Sequence, residues 1–250
     1  MDIAIGQGYL QGLNLYTEAG VEAGGGNTNG FGIVNVAARN GFACGTQPTA
    51  NSVLCQDIVN DIFIQTPIVI PITGTPVDVA VVQNGSETDV LVLTSGPTVM
   101  LSQYSLPNGT PKNAIAVNGA TAGDWSVSGL QLAALSSKFV AVMSPADKFI
   151  ARFDMTTSQG TELGRDTLPG FPIGMFADAN AAAGTFNVFY ASTAEALPVS
   201  VIRVDPAAGL GNAQPLTSTF SHVPMGRGTF LDDTKLCVGE GTNLECQPNQ

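Results

Sequence analysis

The chain has four cysteines, all in two short look-alike stretches. Cys44 and Cys55 bracket "CGTQPTANSVLC", and Cys237 and Cys246 bracket "CVGEGTNLEC". Such thiols either pair as disulfides or bind zinc, and spacing separates the two uses. Zinc sites favour about two to four residues between paired cysteines. Ten and eight residues intervene here. The expectation is therefore two local disulfides, Cys44 with Cys55 and Cys237 with Cys246, and no metal site. Loop entropy gives each at most about 3 kcal/mol.

Carboxylates are the next candidates for chemistry, because acetal hydrolysis uses a pair of them. Asp78, Asp124, Asp178 and Asp232 stand near the ends of apolar segments. They do not fall at matching places, and each also reads as a turn-capping Asp. His222, in "TFSHVPMG", is the only histidine, and no GxSxG occurs. A serine triad or a histidine-rich metal site thus lacks its parts, and His222 reads as a turn or channel-mouth residue. Trp125, in "AGDWSV", could stack on a ligand or pack between structural units. Calcium is the one cofactor left open, since acidic and carbonyl oxygens suit it. The Gly-containing fragments miss the dinucleotide fingerprint. Asn84 in "NGS" and Asn108 in "NGT" have the form of glycosylation sequons, and in a bacterial protein both read simply as hairpin turns.

Nine basic residues against twenty acidic ones give a net charge of −11. That charge repels a phosphate backbone or an anionic membrane surface, which excludes nucleic acid as the expected partner. A protein, glycan or small ligand remains. No apolar run approaches the roughly 18 residues of a spanning helix, and "PIVIPITG" is broken by Pro67 and Pro71. Paired cysteines belong to an oxidising compartment, so the expected location is extracellular, periplasmic or the cell surface. "MDIAIGQGYLQG" carries neither a basic leader nor a small-residue cleavage site. Met1 is therefore expected to head a mature domain whose export signal has been removed.

The elements that position these residues repeat. "FACGT", "LVLTS", "VAVMS" and "FYAST" begin at Phe42, Leu91, Val140 and Phe189, each 49 residues after the last, and "LCVGE" follows at Leu236. An apolar strand precedes each, as in "TPVDVAVVQNG". A partner strand follows, with Tyr104, Phe153 and Val204 in matching places. A further strand such as "NAIAV" leads onward. Each unit reads as four short antiparallel strands, and such thin sheets gain a shared interior by packing face to face, as in a β-propeller.

"TPVDVAVVQNGSETDVLVLTSG" with "QYSLPNGT", and "FVAVMSPADKFIARFDMTTSQGT", resemble the blade unit of the YVTN, NHL and lactonase-like propellers. The resemblance implies an extracellular bacterial setting and transfers no catalytic residue. The predicted fold is an all-β, five-bladed propeller forming a single domain over 1–250. Blades are expected at 31–73, 74–121, 122–169, 170–218 and 219–250. The last lacks an outer strand, which residues 9–16 are expected to supply, so that 1–30 becomes a closing strand and a Gly-rich link. The two disulfides then stitch the first and last blades, where fraying begins. The expected function is a non-catalytic binding or scaffold module, with Trp125, Asp124, Asp78 and His222 as ligand-binding candidates. The alternatives are an extracellular hydrolase, glycosidase or lactonase-like, using axial carboxylates, and a domain of a larger surface or appendage protein.

Overall fold

A computed structural model describes the backbone of residues 3–6, 13–16, 22–25, 32–39, 41–59, 62–63, 67–121, 129–178, 184–191, 199–210, 215–220, 228–231, 235–240 and 243–248. Side chains are described for 32–39, 41–57, 67–117, 129–177, 184–191 and 200–210. The strands, in chain order, are β1–β3 at Ile3–Gly6, Leu13–Tyr16 and Glu22–Gly25, then β4–β8 at Val36–Arg39, Phe42–Gln47, Ser52–Val59, Ile62–Phe63 and Ile68–Pro71. Next come β9–β12 at Thr75–Asn84, Glu87–Ser95, Thr98–Leu106 and Thr110–Thr121, and β13–β16 at Gln131–Ser136, Phe139–Ser144, Phe149–Asp154 and Thr161–Thr167. The last are β17–β20 at Phe171–Asp178, Thr185–Ala191, Val199–Val204 and Pro215–Phe220, and β21–β23 at Gly228–Leu231, Lys235–Glu240 and Asn243–Pro248. They fall into two compact units, Met1–Gly123 with Met155–Gly160, and Asp124–Asp154 with Thr161–Gln250.

In the first unit, β4, β5 and β6 form an antiparallel sheet whose outer edge is shared. β8 pairs with Ser52–Cys55 and the short β7 with Ile58 and Val59. β9 to β12 form a second sheet, a four-stranded meander, beside the five-stranded β4–β8. The two sheets bury one apolar layer, with Cys44, Val53, Ile70, Val79, Val81 and Val92 in a common cluster. Strands with both faces covered read as unbroken apolar runs, which is why Val90–Leu93 of β10 are all fully buried. Asn35, just before β4, sews the sheets together by donating from Nδ2 to the Val77 carbonyl of β9 (2.6 Å).

The second unit repeats the plan. β13–β16 and β17–β20 are four-stranded antiparallel sheets, and Met143, Ile150, Met175, Phe186 and Val188 fill the layer between them. Gln131 does here what Asn35 does in the first unit. Its Nε2 donates to Ile173 O (3.0 Å) and its Oε1 accepts from Met175 N (2.7 Å). The outermost strand β16 alternates exposed and half-buried residues, as expected of a strand covered on one face only.

Among the described residues four sheets thus form blades, the five-stranded β4–β8 and the four-stranded β9–β12, β13–β16 and β17–β20, where the sequence predicts five. The fifth repeat gives only the three-stranded β21–β23. The strand expected from residues 9–16 to complete it is occupied elsewhere: β2 is hydrogen-bonded to β1 on one edge and to β3 on the other, which leaves it no edge to offer. The Gly-rich link contains β3 itself, because ladder bonds need only backbone groups.

Cys44 stands directly opposite Cys55 in the β5–β6 register, and the two are bonded, with Cα atoms 4.0 Å apart. Cys237 and Cys246 hold the same cross-strand placement in β22–β23; their side chains lie outside the described residues. Replacing Cys44 and Cys55 by alanine together is expected to lower the unfolding free energy by about 3 kcal/mol on the loop-entropy account. Urea unfolding of the oxidised chain and the variant checks this, and coincident midpoints would refute it.

Candidate functional site

The antiparallel register fixes which connections share a sheet end. In β9–β12, Ser95 pairs with Thr75 and Thr98 with Thr121. In β17–β20, Phe171 pairs with Ala191, Ala191 with Val199 and Val199 with Phe220. The first strand therefore starts, and the fourth ends, at the same end as the hairpin between the second and third. We term this the leading end of each sheet. Linkers to the following sheet leave from it.

Asp124 and Trp125 belong to the linker after β12, and His222 to the linker after β20; all three lie outside the described residues. Asp232 does as well. Asp78 sits near the start of β9, 1 % exposed, and its Oδ1 accepts from the Val79 N–H (2.8 Å). Asp178 is the last residue of β17, paired with Thr185, and so lies at the trailing end of its sheet. Asp78 and Asp178 are therefore at opposite ends of their own sheets. Among the described residues no cluster of three His, Cys, Asp or Glu side chains could hold a metal.

At the leading end in the second unit the structure assembles a group that the sequence did not single out. Lys148, in the β14–β15 hairpin, adopts φ +54°, unusual for a non-glycine residue, and its carbonyl accepts from Leu168 N (2.7 Å). That bond ties the hairpin to the linker before β17. Lys148 Nζ then lies 4.0 Å from the ring centroid of Phe171, a cation–π distance, and Phe171 is 40 % exposed. Beside it, the Arg165 guanidinium covers Phe149 at 5.0 Å and pairs with Glu162 at 3.2 Å. Lys148 and Phe171 are separated by two strands, so no local motif announces them.

A second polar cluster lies in the first unit. Asp89 is fully buried, and its Oδ2 accepts from Asn84 Nδ2 (2.9 Å) and Gln103 Nε2 (2.5 Å). Its Oδ1 pairs with Lys112 Nζ (2.7 Å), which also reaches Glu87 (2.6 Å). Partial burial disfavours the Lys112 charge, but the bonds and charges of Asp89 and Glu87 outweigh it and hold its pKa above the ordinary value. An ammonium held this way is a poor base or nucleophile. The cluster therefore reads as structural. In β6, burial alone pushes the Asp57 carboxyl up, and its Oδ1 has no hydrogen-bond partner among the described residues.

No family model matches the chain, and no curated protein matches it in sequence. Solved structures do match in fold. A functionally unknown protein from Desulfotomaculum acetoxidans aligns with a TM-score of 0.68 at 12% identity, covering 99% of this chain and 75% of that one. A chain in a crystal structure of the mitotic checkpoint complex aligns at 0.64 and 9% identity, covering 99% and 72%. A chain in the structure of BBS1N in complex with ARL6DN aligns at 0.61 and 13%, covering 99% and 74%. With the repeated antiparallel sheets, these likenesses show a β-propeller fold, and the four sheets β4–β8, β9–β12, β13–β16 and β17–β20 are its blades among the described residues. No helix among the described residues is long and apolar enough to cross a membrane.

Proposed function

We propose that this chain is a non-catalytic binding module, exported or displayed at a cell surface, which engages its ligand at the leading ends of its blades. The exposed Phe171 ring with Lys148 Nζ 4.0 Å from its centroid carries this reading, because an aromatic side chain beside a cation at one sheet end offers a ligand both apolar and charged contacts. The linkers that hold Asp124, Trp125 and His222 leave from the same end of their sheets. Asp78, the acidic candidate whose side chain is described, is buried and bonded to backbone, which favours a structural role over proton transfer. The Cys44–Cys55 disulfide supports an oxidising compartment. The blade-level resemblance to YVTN, NHL and lactonase-like propellers fits the same setting.

A glycan array probed with the labelled chain tests the reading. Phe171→Ala and Trp125→Ala are expected to lose at least tenfold in binding to any glycan retained by the wild type, while Asp124→Asn slows no hydrolysis. Turnover of a retained glycan, abolished by Asp124→Asn or Asp78→Asn, would replace the module with a hydrolase.

A further inference from the structure

Two turns of the second blade carry the Asn-X-Ser/Thr pattern, and the structure presents them differently. Asn84, Gly85 and Ser86 join β9 to β10; Asn108, Gly109 and Thr110 join β11 to β12. Asn84 is half-buried, and its Nδ2 is one of the donors to the fully buried Asp89 carboxylate. Turning that amide outward would take a donor from a charge with no access to water. Asn108 is exposed, and its side chain makes no hydrogen bond to any described residue. Thr110 beside it is exposed as well.

The turn beneath Asn108 is nonetheless held. Gly109 has φ +65° and its N–H donates to Ser105 O (2.7 Å). A Cβ at Gly109 would come within 3.0 Å of Ile70, a buried residue of the neighbouring sheet. An anchored backbone with its amide in solvent is the presentation an acceptor asparagine requires.

We propose that Asn108 is a site of N-linked glycan attachment and that Asn84 is not. The donor is a lipid-linked oligosaccharide. A bond forms between Asn108 Nδ2 and the anomeric carbon of the first sugar, and the bond from that carbon to the donor pyrophosphate oxygen breaks. The pyrophosphate leaves with the electron pair, and the amide proton passes to a base of the transferase. The Asn108 turn lies at the trailing end of its sheet, because Ser105 pairs with Thr110 there while Thr98 pairs with Thr121 at the other end. A glycan so placed leaves the leading end of that sheet uncovered.

The test incubates the folded, oxidised full chain with a purified single-subunit oligosaccharyltransferase and a lipid-linked oligosaccharide, and maps the products by peptide mass spectrometry. One glycan per chain is expected, at Asn108, absent from Asn108→Gln and retained by Asn84→Gln. A reduced and alkylated chain is expected to accept at both positions. The proposal is overturned if Asn108 stays unmodified in the folded chain, or if Asn84 and Asn108 are occupied equally there. Circular dichroism of Asn108→Gln matching the wild type shows that loss of the glycan is loss of the acceptor and not of the fold.

Discussion

Asp89→Ala is expected to lower the unfolding free energy by about 3 to 5 kcal/mol, the usual cost of breaking a buried, hydrogen-bonded charge pair. The carboxylate receives Asn84, Gln103 and Lys112 at once. Removing it takes an acceptor from the amide of Gln103, a residue only 1 % exposed, which also accepts from Asn113 Nδ2 (3.2 Å). Asn113 in turn donates to Met155 O (2.6 Å), so the damage extends from the β11–β12 pair to the Met155–Gly160 turn within the same unit. Lys112 suffers less because its side chain keeps some access to water. Guanidinium unfolding read by fluorescence and by far-UV dichroism measures the loss. A change under 1 kcal/mol would mean that water replaces the carboxylate. The pH profile supplies a second readout. Lys112 has a folded pKa above the ordinary 10.5. Its pairing therefore stabilises the fold fully below that value, and the stabilisation is lost as pH rises through the higher folded value. In Asp89→Ala this alkaline loss should shrink, since Glu87 alone remains as partner.

Arg152→Ala is expected to cost a similar amount in the second unit, about 3 to 5 kcal/mol. The guanidinium is 4% exposed and lies on β15. Its Nη1 donates to Pro206 O (3.2 Å) and Ala207 O (2.7 Å) in the turn after β19, and its Nη2 pairs with Asp166 (3.2 Å). That turn is rigid by its own bonds, since Asp205 Oδ1 accepts from the N–H groups of Ala207 (2.8 Å) and Ala208 (2.6 Å). Arg152 thus fastens one blade to the next through backbone carbonyls, and its loss takes the donor from the carbonyl of the buried Pro206, while the exposed Ala207 keeps access to water. Space for the side chain comes from two glycines: a Cβ at Gly164 or Gly209 would lie 2.5 Å from Arg152 Nη2 or Asp166 Oδ2 respectively. Hydrogen exchange gives the local test. Amides of β15 and β19 should lose protection in Arg152→Ala well before those of β9–β12, and uniform loss across both units would contradict the assignment.

The five repeated pentapeptides all begin in second strands, β5, β10, β14, β18 and β22, and their expected partners pair there. Tyr104 meets Val90, Phe153 meets Val140 and Val204 meets Phe186, which stand one before, at and three before the pentapeptide starts, so the places do not match in register. These strands were legible because a strand covered on both faces must be apolar throughout, and that constraint writes itself into composition. The ends of the chain were not. "LNLY" in β2 is apolar enough to be a strand, but nothing in four residues says which edges it will meet. "EAGG" in β3 pairs through backbone alone. The site was less legible still. Lys148 and Phe171 meet because a hairpin and a linker share one sheet end, a fact of register rather than of neighbouring residue types. Asp78 did read as polar, but its burial against the Val79 amide depends on packing that a single sequence position does not encode.

The Cys44–Cys55 crosslink also changes how the chain would answer a mechanical load. Tension reaching β5 from one terminus passes across the sulfur bridge to β6 and bypasses the hairpin between them, which stays folded on itself even when its ladder is broken. A molecule stretched in an oxidising medium would therefore release roughly 35 Å less contour than its residue count implies. Reduction would return that slack.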